Sequence, residues 1–80
     1  MKMIIVEWLD SAFAEGWMPE EVAKGQRVSD CTTVGIFVNE TEDQVTIALS
    51  ASGHSYGNSI TIPKACIKER WELKPVKEKG

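Results

Sequence analysis

Apolar and polar positions alternate with a period of two through most of this chain, and only one short stretch turns toward a helical pattern. The clearest case is a hairpin running from Thr32 to Ser52. Val34, Ile36 and Val38 alternate with Thr33, Gly35 and Phe37, and Val45, Ile47 and Leu49 alternate with Thr46, Ala48 and Ser50. A period of two marks strands with one face turned to a core. The intervening Asn39 to Gln44 carries the Asn, Thr and acids of a short turn. Placing Asn39 opposite Gln44 sets Val38 opposite Val45, Ile36 opposite Ile47 and Val34 opposite Leu49, which predicts that all six face the core. A slip of one residue would turn the whole set to water.

Lys2 to Asp10 reads as the first strand, with Met3, Ile5 and Glu7 on one side and Ile4, Val6 and Trp8 on the other. Both faces are rich in apolar residues, so the strand is expected to be well buried or to lie at an interface. Asp10-Ser11 can bond to nearby backbone N–H groups and open a turn. Residues 12–27 read as a long loop. Ala12, Phe13 and Ala14 fit one helical turn stopped by Gly16. Pro19 to Gly25 fits a short helix, with Pro at its start, acids in the first turn, Lys24 in the last and Gly beyond. Gly35 inside a strand calls for a bulge or a close backbone approach. Gly53 to Asn58 reads as an irregular loop, Ser59 to Ile62 as a short fourth strand, and Pro63 to Cys66 as a 3₁₀ turn. Ile67 to Leu73 closes the set, with Ile67, Glu69, Trp71 and Leu73 on one side. Residues 1–73 are expected to form one domain, and 74–80 a charged flexible tail.

The fold class is therefore mostly β: five short strands, a long first loop holding a short helix, and a 3₁₀ turn before the last strand. This order of elements resembles a small SH3-like or Sm-like barrel, in which closing the sheet removes exposed strand edges. A four-stranded sheet plus a helix is the competing arrangement.

Eighty residues bury only about 60% of the surface that the unfolded chain exposes, a thin margin that oligomerisation commonly makes good. The net charge of -3 weighs against nonspecific binding to long nucleic acid. That charge is uneven. Residues 1–43 hold nine acids and three bases, and residues 64–80 hold six bases and three acids. Residues 44–63 hold no Asp, Glu, Lys or Arg, and a neutral run of that length is expected to be partly covered by something. Cys31 and Cys66 form no CxxC, which points to free thiols and a cytoplasmic setting. The apolar run before Glu7 is too short for a signal peptide or a membrane span.

No catalytic set stands out, and the chain reads as a non-enzyme without cofactor or metal. His54 is the single histidine, with no partner marked out for nucleophilic catalysis. The aromatics say more. Phe37 and Trp71 read as core, whereas Trp8 with Asp10 and Ser11 at a strand end, and Trp17 in a loop, suit stacking of a planar ligand. Lys64 is a candidate cation for a phosphate or carboxylate. Ser50, Ser52, Ser55 and Asn58 offer neutral hydroxyl and amide groups to a sugar-like ligand, with His54 and Tyr56 beside them as further candidate contacts.

Taken together, Trp8-Leu9-Asp10-Ser11, Gly16-Trp17, Val34-Gly35-Ile36-Phe37-Val38 with Glu42-Asp43, and Ile62-Pro63-Lys64 resemble a family of short bacteriophage and prophage proteins. The resemblance spans roughly residues 5–73 and implies a cytoplasmic protein of the infected bacterium, not a virion part. Small phage proteins of this kind include sponges that capture nucleotide-derived immune signals without cleaving them. The first functional expectation is therefore a homo-oligomeric counter-defence protein that sequesters such a signal, an analogy from the family. The alternative is an SH3-like module that binds a host or phage protein through an aromatic groove or strand addition. Single-stranded RNA binding by stacked aromatics is a third reading, disfavoured by the acidic balance.

Overall fold

Val6 has no exposed surface, and Ile4 and Trp8 beside it are buried, which makes one side of the first strand the floor of the core. The computed structural model describes residues 1–11 and 16–76. It contains β1 (Met3–Asp10), a helix α1 (Glu20–Lys24), β2 (Ser29–Glu40), β3 (Gln44–Ser52), β4 (Ser55–Pro63), a 3₁₀ turn (Lys64–Cys66) and β5 (Ile67–Leu73). Both the short helix after Pro19 and the turn after Pro63 form as expected. The helical turn read at Ala12–Ala14 lies outside the described residues, as does the end of the tail from residue 77.

The strands make one antiparallel sheet in the order β4-β3-β2-β1-β5. It bends until β1 lies against the far half of its own sheet. Ile4, Val6 and Trp8 meet Val45, Ile47 and Ile62 in one buried cluster, with Cys31, Phe37 and Ile67 packed against it. Burying such side chains stabilises by about 1.5–3 kcal/mol each and is the main force holding the bend. The Trp8 indole N–H donates to Thr33 Oγ1 at 2.9 Å, so its one polar atom is satisfied inside.

The sheet does not close into a barrel. It ends at β4 and β5, whose outer edges pair with no other strand among the described residues. The cause lies in β3, whose ladder with β2 runs from Glu40–Val45 to Ile36–Ala48 and stops there. Beyond Ala48, β3 pairs with β4 alone, which carries β4 away from β5 instead of round to it.

The hairpin register also differs from the expected one. Phe37 pairs with Ile47 and Ile36 with Ala48, with a bulge between Phe37 and Asn39. Thr33, Gly35 and Phe37 consequently share the core side with Ile4, Val6 and Trp8, while Val34 and Ile36 face outward. Gly35 decides this. A Cβ built there would lie 2.6 Å from both the Ala48 carbonyl oxygen and Ile47 Cγ2. Only a residue without a side chain lets β3 cross so close, and the alternation is displaced by one to place it inside.

Two further elements depart from expectation. Gly53 and His54 form a two-residue connection between Ser52 and Ser55, with Gly53 at a φ of 60°, so Gly53–Asn58 is a tight hairpin and the start of β4. In β5, a register shift between Glu7 and Trp8 puts Ile67 and Arg70 on the core side and turns Trp71 and Leu73 outward. Trp71 is thus not a core residue.

Gly35→Ala is expected to destabilise the fold by about 1–3 kcal/mol, as overpacking does, seen as a lower urea midpoint at unchanged slope. An unchanged midpoint would show that β2 and β3 do not approach this closely.

Candidate functional site

The eight residues that the sequence singles out fall in five places. Trp8 sits in the core beside Cys31 of β2 and Ile67 of β5. Its exposed margin lines a hollow of about 160 Å³ with Glu7, Asp30, Thr32 and Lys68. Asp10 and Ser11 are exposed at the end of β1, where the Ser11 N–H donates to Asp10 Oδ1 at 2.9 Å. Trp17 is fully exposed before α1. Ser50, His54 and Tyr56 all lie on the β3–β4 hairpin, but Ser50 pairs with Gly57 and Tyr56 with Ala51, which puts Ser50 and Tyr56 on opposite faces of it. Lys64 stands apart, at the 3₁₀ turn.

Lys64 belongs to an ion cluster on the core side that the sequence did not single out. Glu40, at the end of β2, accepts from Lys64 Nζ at 2.6 Å and from Arg70 Nη2 at 3.0 and 3.1 Å. Because β2 and β5 are not sheet neighbours, this clamp spans the open mouth of the bent sheet. The Lys64 N–H donates to the Asp43 carbonyl at 2.8 Å and fixes the turn beside it. Hydrogen bonding from Lys64, then from Arg70, holds the Glu40 carboxyl below its ordinary value. A second pair, Lys68 to Asp30 at 3.1 Å, ties β5 to β2 across β1 and raises the Lys68 pKa. The hollow between Glu40, Lys64, Ile67 and Lys68 measures about 370 Å³, but both its Lys64 and its Arg70 are engaged by Glu40.

A contiguous apolar surface lies on the outer face of β5, β1 and β2. Register puts Leu73, Met3 and Ile36 side by side on one rung, and Trp71, Ile5 and Val34 on the next. Val34 is 50% exposed and Trp71 45%. The following rung carries Glu69, Glu7 and Thr32, so two carboxylates stand opposite each other at the border of the apolar grid. Like charges so placed repel. The signal for this face was present as the double-sided apolar pattern of residues 3–9, but its extent depended on the shifted registers of β2 and β5.

Among the described residues, no three His, Cys, Asp or Glu side chains gather where they could hold a metal ion, and no helix is long and apolar enough to cross a membrane.

Since the folded-state pKa of Glu40 is depressed, its contribution to stability is present above its unfolded pKa and lost as pH falls through the folded one. Glu40→Gln is therefore expected to lower the urea midpoint at pH 7 while leaving it nearly unchanged in acid. An equal loss at both pH values would show that the carboxylate charge is not what matters.

Comparison with protein families, with curated proteins and with solved structures finds no match to this chain.

Proposed function

We propose that this chain is a non-catalytic binding module that docks a protein segment on the outer face of β5, β1 and β2. The observation that carries this reading is the two-rung apolar grid of Leu73, Met3, Ile36, Trp71, Ile5 and Val34, contiguous and open to solvent. A large apolar patch with a polar border marks an interaction surface. The border supplies the chemistry of the partner. Lys68, engaged by Asp30, feels both Glu7 and Glu69, and a Lys or Arg of the partner completes their neutralisation, so the preferred segment carries large apolar side chains followed by a base. The SH3-like reading draws support from the order of the elements and the bend of the sheet. In the phage setting of the family resemblance, the segment belongs to a host or phage protein.

Sequestration of a nucleotide-derived signal has one observation in its favour: Ser50, His54 and Tyr56 share the neutral β3–β4 hairpin. With Trp8 in the core and Lys64 held by Glu40, that reading requires a pocket built from more than one copy.

Selection from a displayed random-peptide library tests the docking reading. Enriched peptides are expected to combine large apolar residues with Lys or Arg, and to lose at least about tenfold in affinity, roughly 1.4 kcal/mol, on Val34→Lys. No enrichment, or binding indifferent to Val34→Lys and Trp71→Ala, would overturn it. A thermal-shift screen against cyclic dinucleotides and cyclic ADP-ribose isomers separates the second reading. Capture at about 100 times Kd stabilises by about 2.7 kcal/mol, and a flat screen removes that reading.

A further inference from the structure

The end of the β3–β4 hairpin is a two-stranded ribbon that leaves the sheet. Pairing of β2 with β3 stops at Ile36–Ala48, whereas pairing of β3 with β4 continues through Ser50–Gly57 and Ala51–Tyr56 to Ser52–Ser55. Below Ile36, β2 in turn stays with β1 down to Ser29. From Leu49 onward the ribbon therefore has no third strand among the described residues. The molecule is accordingly drawn out to 59 × 29 × 25 Å. Its radius of gyration of 16.8 Å compares with about 12 Å for a compact chain of this length.

Such a ribbon is marginal by itself in water. It lacks the charged side chains that guard most strand edges, its only interruptions being Asn58 at a φ of 53° and Pro63 at its end. The whole run 44–63 has no charged residue, and lysines or acids are the usual guard on an exposed edge. The other free edge, β5, is guarded by Lys68, Glu69, Arg70 and Glu72. On the ribbon, the core-side row that begins with Val45 and Ile47 runs on past the core, leaving Leu49 68% and Tyr56 50% exposed, with Ile60 next to them. Among the described residues, nothing covers this apolar row where it continues beyond the core.

We infer that the β4 edge is where a second copy of this chain pairs, antiparallel about a two-fold axis. Identical surfaces meeting about a two-fold bring like against like, so any patch with a net charge repels itself. This chain has a net charge of -3, and residues 44–63 are its longest uncharged run, so two copies meet along the ribbon without that cost. Antiparallel pairing of β4 sets Ser, Tyr, Gly, Asn, Ile and Thr opposite one another and extends the row of Tyr56 and Ile60 across the join. Burial of Val45, Ile47, Ala48 and Ile62 accounts for part of the neutral run 44–63, and this contact accounts for the exposed remainder. The inference concerns a different surface from the outer-face docking site and does not rest on it.

Sedimentation equilibrium of the full chain at about 100 μM is expected to give the mass of two copies. Ser59→Lys with Tyr56→Lys, both at exposed positions, is expected to give the mass of one, with circular dichroism unchanged. Mixing that chain with one carrying Ser59→Glu and Tyr56→Glu restores the two-copy mass, which separates lost pairing from lost folding. A single-copy mass for the unmutated chain overturns the inference. So does a two-copy mass that the charged variants leave intact, or one that Val34→Lys on the outer face dissociates.

Discussion

The structure depends on one packing event: Ile4, Val6 and Trp8 of β1 meeting Val45, Ile47 and Ile62 of β3 and β4 inside a sheet bent onto itself. An antiparallel sheet of five strands has no second layer here, so its own far half must serve as one. The bend is possible because Gly35 lets Ile47 and the Ala48 carbonyl come within reach of the β2 backbone. It is held open-mouthed by Glu40, which bridges to Lys64 and Arg70. The apolar core provides the energy and the ion clamp the geometry, since a partly exposed ion cluster contributes little net stability.

The same bend generates the two surfaces that ask for partners. Turning one side of β1 inward leaves Met3 and Ile5 outside, and the shifted registers of β2 and β5 bring Ile36, Val34, Trp71 and Leu73 up beside them. Stopping the β2–β3 ladder at Ala48 sends the rest of β3 and β4 out as a neutral ribbon. A chain of eighty residues thus presents an apolar face on one side and an uncharged, unpaired strand edge on another. Both are surface features. A pocket that gathers Trp8, Trp17 and Tyr56 is not how this copy arranges its aromatics, with Trp8 inside and the other two exposed in separate elements.

Much of the fold was legible in the residues because its signals are local. The period of two in 3–10, the Pro-led helix at 20–24 and the Pro63-led turn at 64–66 each depend on neighbours in the chain. Which face of β2 is buried was not legible, because Val34-Gly35-Ile36-Phe37-Val38 is apolar on both parities and a glycine weakens the pattern. The choice is made by a contact between Gly35 and residues 47 and 48, which no local rule contains. Trp71 was misplaced for a similar reason: the bulge opposite Glu7 and Trp8 changes the parity of β5 after Ile67. Glu40 was hidden because a charged residue at a turn reads as solvated until Arg70, thirty residues on, is brought to it.

The account stands on which tryptophans lie inside. Hydrogen exchange of the three indole N–H groups, followed by NMR on the intact chain, measures this directly. Trp8, buried and bonded to Thr33, is predicted to exchange slowly, with Trp17 and Trp71 fast. A slow Trp71 beside a fast Trp8 would mean that the sheet bends the other way, and that the outer apolar face described here is the core.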